Sequence, residues 1–303
     1  MIIVAGPTAS GKTELSVALA QAIGGEVVSA DSRQVYRGLD AGTAKPRRDA
    51  QGRVEGVFYH LIDCADVPET FDAGRFSALA RPLCEEIRER GRTPIVAGGT
   101  GLYIRALLEG LSEMPGRDEA VRARLEKQAL ELGRGFLHQT LSRLDPVAAG
   151  KIPANNIQRV IRALEIHELT GRPISSFWSR EPGVTRADGA VVLAIEWPTP
   201  LLNERIAARA GAMWPNILRE VRELVPSRYA GTEPGFQSLG YRQALLCLRG
   251  ELSENEGLRG LVRETKAYAK RQRTWLRHQL AARSIAGGAT ADMLAQARPL
   301  LSP

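Results

Sequence analysis

The chain has no apolar stretch approaching 18 residues, so no part of it is long enough to cross a bilayer as a helix. Its first residues enter a short apolar run with no charged n-region and no small-residue cleavage site, and the expectation is a cytoplasmic protein without membrane contact. Cysteine is scarce. Cys64, Cys84 and Cys247 are odd in number and far apart, which excludes a disulfide framework and zinc-ligand spacing and leaves reduced, buried small hydrophobes. Lysine is scarce too: only 6 of the 41 basic residues are lysine, an arginine bias that genomic composition explains as readily as function. The net charge of +7 and pI near 9.6 therefore point only weakly to a polyanionic partner. No internal repeat or low-complexity segment is present. What remains is 303 residues, 44% hydrophobic, enough for one large domain or two ordinary ones with a real core.

Gly6-Pro7-Thr8-Ala9-Ser10-Gly11-Lys12-Thr13 fits the phosphate-binding pattern G-x-x-x-x-G-K-[ST]. Its context matches as well: residues 1–5 read as a buried strand, and residues 14–23 as a helix stopped by Gly24-Gly25. Two glycines let the backbone turn its N–H groups inward, the helix N-terminus adds partial positive charge, and Lys12 adds a full one. Thr13 is placed to offer its hydroxyl to a magnesium ion. The loop predicts a polyphosphate or diphosphate ligand without saying which.

Residues 26–30 read as a second strand ending at Asp31, and residues 93–97 as another ending at Gly98-Gly99-Thr100. Residues 72–91 between them read as a helix with Asp72 as N-cap, which completes the strand-helix-strand rhythm of a parallel sheet. Ligands in such sheets bind at the carboxyl ends of the strands, so Asp31 and Thr100 face the crevice of the phosphate loop. Glycines 98, 99 and 101 are expected to let a substrate approach the backbone, and residues 37–56 to be irregular. Strand patterning stops after Met114-Pro115-Gly116. Three helices follow, at 118–132, 135–144 and 155–170, and a strand resumes at 190–195. The fold class is α/β: a parallel sheet flanked by helices, in the manner of P-loop NTPases, built from residues 1–115 and 189–303, with an all-helical insertion at 116–188. The final twenty residues, from Ser284, carry little signal.

Basic residues cluster once. Arg259, Arg263, Lys266, Lys270, Arg273 and Arg277 step by four and three, which places them along one helix face while Leu258, Leu261, Tyr268, Ala269 and Leu276 turn elsewhere. Such a stripe tracks a phosphate backbone, giving affinity and orientation without reading bases.

The phosphate loop and Asp31-Ser32-Arg33-Gln34-Val35-Tyr36, followed in order by Gly98-Gly99-Thr100-Gly101-Leu102-Tyr103, Leu239-Gly240-Tyr241-Arg242-Gln243 and residues 269–277, strongly resemble the tRNA dimethylallyltransferases, or tRNA isopentenyltransferases. The resemblance implies transfer of a dimethylallyl group from dimethylallyl diphosphate to N6 of adenosine 37, next to the anticodon, in tRNAs reading codons that start with U. Diphosphate is released. Asp31 matches the base that takes the N6 proton, with Thr8, Lys12 and Thr100 in the same catalytic group. Residues Gly6 to Thr13 match the diphosphate or nucleotide site, with Mg2+ on Thr13, and Arg205 and Arg209 match arginines that close over the donor. Asp31, Ser32, Arg33, Gln34, Thr100, Arg122, the segment Gln158-Arg159-Val160-Ile161-Arg162, the segment Phe236-Gln237-Ser238-Leu239-Gly240-Tyr241, and Lys270, Arg271 and Arg273 match contacts to the anticodon stem-loop. The resemblance also implies a monomer.

Three rivals remain at this point. A small-molecule kinase or other P-loop NTPase explains the loop but gives the basic stripe and helical insertion no purpose. An adenylate isopentenyltransferase needs no RNA surface. A non-catalytic RNA-binding protein has no use for Asp31 at a strand end.

Overall fold

The N-terminal run lies at the heart of a seven-stranded sheet ordered β3-β4-β2-β5-β1-β6-β7. In the computed structural model, residues 1–110, 114–178 and 189–301 are described. In chain order the main elements begin with β1 (Ile2–Ala5), α1 (Lys12–Ile23), β2 (Gly25–Ser29), β3 (Arg53–Val54), β4 (Val57–His60), α2 (Ala73–Glu89), β5 (Thr93–Gly98) and α3 (Gly101–Glu109). They continue with α4 (Glu119–Glu131), α5 (Arg134–Leu144), α6 (Pro146–Lys151), α7 (Ile157–Thr170), β6 (Val191–Glu196), α8 (Thr199–Leu224), α9 (Tyr241–Leu248), α10 (Glu254–Gln279), β7 (Arg283–Ala286) and α11 (Thr290–Ala297). Two compact units result, one of Met1–Gly110 with Val184–Pro303 and one of Leu111–Gly183. The expected boundary at residue 188 lies outside the described residues.

All pairings in the sheet are parallel except β3 with β4. Parallel strands covered on both faces must be apolar throughout, and β1 and β2 are buried at every position. Register then decides where the loops fall. Ala5 pairs with Gly98 on one side and Ala194 on the other, and Ser29 pairs with Ala97. The residues that follow these strands therefore emerge level with one another along one edge.

The structure departs from the sequence reading in three places. Residues 37–56, expected to be irregular, contain β3, and the strand that follows, β4, extends the parallel sheet beyond β2. The tail from Ser284 forms most of the edge strand β7 and then α11, whose Met293 is buried. In the helical unit the short helix α6 went unread; it starts at a proline and is capped by Asp145, whose carboxylate accepts the Ala148 N–H. Of the cysteines only Cys84 is fully buried, Cys64 and Cys247 being half-buried, and all three are free.

The helical unit has its own core, including Leu125, Leu137, Leu141, Val160, Ile161 and Leu164. A fully buried carboxylate, Glu165, organises its polar contacts. It accepts hydrogen bonds from the Asp118 N–H at 2.8 Å, Arg122 Nη1 at 3.2 Å and Arg162 Nη1 at 2.8 Å. A buried charge is tolerable only when paired and hydrogen-bonded in this way.

At the amino end of β2, away from the loops, the buried Glu26 carboxylate meets Arg90 at 2.9 Å, His60 at 2.7 Å and Arg92 at 3.6 Å. Burial opposes its ionisation, but hydrogen bonds from Arg90 and His60 prevail and hold it below the ordinary glutamate range. A depressed carboxyl contributes stability above its unfolded value of about 4.3 and loses that contribution as pH falls through its folded value. Glu26→Gln is expected to cost about 1–3 kcal/mol at neutral pH. It should also flatten the acid limb of the stability curve below about pH 4.3, as read by urea unfolding at stepped pH.

Candidate active site at the carboxyl edge of the sheet

The phosphate loop leaves β1 and re-enters the chain as α1, with Ala9 at φ 63° and Gly11 at φ 95°, both in the left-handed region. A loop that turns its N–H groups inward leaves its carbonyls facing out, and those carbonyls are taken up by side chains. Lys12 Nζ donates to the Pro7 carbonyl at 2.8 Å, Arg205 Nε to the Ala9 carbonyl at 2.9 Å, and Trp197 Nε1 to the Ser10 carbonyl at 3.0 Å. The Arg205 guanidinium also lies 4.4 Å over the Trp197 ring. Inside the loop, the Ser10 hydroxyl is buried with no hydrogen-bond partner among the described residues. An unpaired buried donor beside a helix N-terminus suits an incoming phosphate oxygen. Thr13 lies near the buried Tyr59 hydroxyl of β4. Gly6 is buried, and Met293 of α11 comes up against Gly11.

Three charged groups share the crevice. Burial lowers Lys12 to about 8, against the attraction of Asp31, and Arg209 pushes the same way as burial. Arg209 is itself lowered by burial and supported by Asp31. Arg205 is exposed and Arg209 half-buried, one helical turn apart on α8. The arrangement is a cationic pocket with one carboxylate at its margin.

That carboxylate is set by the turn after β2. Asp31 Oδ1 accepts the Arg33 N–H at 2.9 Å, while the Ser32 N–H donates to Thr100 Oγ1 at 3.1 Å and the Thr100 N–H to the Ala30 carbonyl at 3.3 Å. Asp31, Ser32, Arg33 and Thr100 thus form one half-exposed cluster. Tyr268 of α10 lies near Thr100, and burial and the nearby Asp31 charge push its phenol above the ordinary range.

The glycines at and after the end of β5 are needed for packing within the protein. A Cβ on Gly98 would lie 2.2 Å from the Ala30 carbonyl, one on Gly99 2.2 Å from Gln272 Nε2, and one on Gly101 2.2 Å from the Trp275 ring. They admit the neighbouring strand end and helix α10.

Several residues expected at the RNA surface lie inside. Val160 and Ile161 are in the core of the helical unit, and Phe236, Ser238 and Tyr241 in that of the main unit. Gln34 is buried, accepting from Ser29 Oγ at 3.0 Å and donating to the Ala44 carbonyl at 3.3 Å. Arg122 is buried against Glu165 and donates to Gln158 Oε1 at 2.7 Å; Arg162 is tied to the Pro115 and Gly116 carbonyls. The Tyr241 hydroxyl donates to Glu220 at 2.6 Å and accepts the Gly42 N–H at 3.0 Å, pinning the loop after β2. Of these residues lying inside, Arg162 alone is half-buried, the others being buried. Gln158, Arg159, Gln237, Lys270 and Arg271 remain exposed, Leu239 is half-buried, and Gly240 begins α9 with φ 91°. Along α10, Arg259, Arg263, Lys270 and Arg277 are exposed, Lys266 and Arg273 are half-buried, and Arg273 is bonded to Thr199. Trp197, Tyr59, Tyr268 and Gln272 were not assigned roles from the sequence. For Trp197 the only signal was its place just past a strand end, and for Tyr268 and Gln272 their spacing of four on the face opposite the basic stripe.

The family model described as IPP transferase matches residues 34–279, and that described as isopentenyl transferase matches residues 1–60. A tRNA dimethylallyltransferase of Anaeromyxobacter sp. (strain Fw109-5) is 46% identical over 98% of this chain and 97% of its own length. The solved tRNA isopentenylpyrophosphate transferase of Bacillus halodurans is 37% identical with a TM-score of 0.69, covering 99% of this chain and 94% of that one. A eukaryotic dimethylallyltransferase, solved acting on tRNA, superimposes with a TM-score of 0.78 at 26% identity, over 99% of this chain and 77% of that one.

With Lys12 lowered to about 8, diphosphate affinity measured calorimetrically should weaken as pH rises past that value. The decline approaches at most about tenfold per pH unit. Lys12→Arg, which stays charged, should lose that part of the pH dependence, leaving only the titration of diphosphate itself.

Proposed function

Given that the chain belongs to the tRNA dimethylallyltransferase family and is a tRNA-modifying transferase, we propose that it moves the dimethylallyl group of dimethylallyl diphosphate to N6 of adenosine 37 in tRNAs reading codons that start with U. The observation that carries this reading is the convergence of the phosphate loop, Asp31 and Thr100 on the ends of three neighbouring strands, β1, β2 and β5. Such a site brings a diphosphate and a base-handling carboxylate together. The cytoplasm is the compartment this reading requires, and a single chain carries the whole site.

The N6 lone pair is delocalised into adenine, so attack needs both a base and a good leaving group. A bond forms from N6 to C1 of the donor, the C1–O bond breaks with its electron pair leaving on diphosphate, and Asp31 takes the N6 proton. Lys12, Arg205, Arg209 and the loop N–H groups stabilise the charge that develops on the leaving oxygen. Among the described residues no three His, Cys, Asp or Glu side chains cluster to hold a metal alone. A lone Thr13 hydroxyl beside a phosphate loop suits Mg2+ carried in with the diphosphate, where it would neutralise leaving-group charge. Extruding the adenosine costs a few kcal/mol of stacking, which RNA contacts must offset. The exposed cations of α10 supply groups for them.

Incubation with unmodified tRNA, dimethylallyl diphosphate and magnesium should add C5H8 to adenosine 37, located by mass spectrometry of nuclease fragments; its absence there would sink the reading. Asp31→Asn keeps the shape of the side chain but not the base, and should slow single-turnover transfer by roughly 10²–10⁴ with little change in tRNA affinity.

The stripe is tested separately. Lys270→Gln combined with Arg277→Gln removes two exposed charges from the stripe. tRNA affinity should fall, and the log-log salt slope should flatten by up to about two. An unchanged slope would make the stripe an ordinary solvated face.

A further inference from the structure

Helix α10 carries a buried amide on its inward face, between two arginines. Gln272 has Arg271 before it and Arg273 after it, yet only 7% of its surface is exposed. Its Oε1 accepts the Thr8 N–H at 2.8 Å, and its Nε2 donates to the Gly99 carbonyl at 2.9 Å. Only one orientation of the amide satisfies both partners, because the N–H needs an oxygen and the carbonyl needs the NH2. The fit is close from the other side as well: a Cβ on Gly99 would stand 2.2 Å from Gln272 Nε2 and 2.9 Å from the Gly6 carbonyl. Glycine at 99 is what leaves room for the amide.

The strand ladder between β1 and β5 ends at the pair Ala5 and Gly98. Beyond it one chain becomes the phosphate loop and the other turns towards Thr100, so no strand pairing sets their separation. A side-chain amide that accepts from one chain and donates to the other occupies the place of the next rung. We propose that Gln272 is a positioning residue that holds the donor loop and the Gly99-Thr100 turn in one frame, so that the two substrates meet at reacting distance. This rests on the proposed transfer reaction, in which N6 and C1 have to come within about 3–3.5 Å and small misplacements are costly.

Gln272→Met keeps the length and apolar stem but makes neither bond. In a variant shown to be folded by circular dichroism and thermal melting, single-turnover transfer at saturating tRNA and donor should fall roughly 10–100-fold, with the tRNA Kd unchanged. Gln272→Glu adds a diagnostic, since its neutral carboxyl can still accept from Thr8 and donate to Gly99, whereas its carboxylate cannot donate. Its rate relative to the wild type should therefore recover as pH is lowered. A wild-type rate in folded Gln272→Met overturns the proposal, as does a loss that appears only in tRNA affinity. If the Met variant does not fold, a pH-independent Glu ratio overturns it. Failure of the wild-type enzyme to add C5H8 would instead mark failure of the underlying reaction; binding of inorganic diphosphate with magnesium then decides, with Gln272→Met expected to weaken it roughly fivefold through the freed Thr8 N–H.

Discussion

A loop that grips phosphate with its own backbone has little side-chain mass with which to hold itself in shape, and its glycines make it less stiff still. N–H groups turned inward cannot also hold the loop in shape, so order has to be imposed through the groups that face outward. Residues 7–10 meet that demand almost atom by atom: carbonyls 7, 9 and 10 are held by Lys12, Arg205 and Trp197, and the N–H of Thr8 by Gln272. The supports come from α1, the end of β6, α8 and α10, which ties the loop to most of the main unit. Preorganised dipoles of this kind stabilise developing charge without reorganising at the moment of reaction.

Helix α10 shows how two incompatible surfaces are kept apart. The pocket already holds Lys12 and Arg209, each lowered by burial. Further cations on the inward face of α10 would compete with them, and neutral groups stand there instead: Tyr268 at Thr100, Gln272 at Thr8 and Gly99, Trp275 against Gly101. The cations lie on the outer face, where water screens their mutual repulsion. One helix thereby presents hydrogen-bond precision inward and long-range attraction outward.

The strands and loops that carry this site were legible because buried parallel strands write continuous apolar runs and the phosphate loop has a fixed spacing. The edge strands β3 and β7 were not, being short and partly exposed, with no apolar run to announce them. Segments carried over as blocks fared worst. Residues 158–162 lie on helix α7 and residues 236–241 in the turn leading into α9, and each segment is only partly exposed: Val160, Ile161, Phe236 and Tyr241 are core while Gln158, Arg159 and Gln237 are surface. Gln272 was hidden for another reason. A glutamine between two arginines reads as solvated, and only the tertiary meeting of α10 with two strand ends, separated from it by 264 and 173 positions, gives it buried partners.

That separation has a consequence in time. The phosphate loop precedes in the chain all of its clamps at Trp197, Arg205 and Gln272, and also Met293, which packs against Gly11. Contacts so far apart in sequence close slowly and late in folding. A nascent chain therefore carries the phosphate-loop sequence well before it carries the residues that hold that loop in shape.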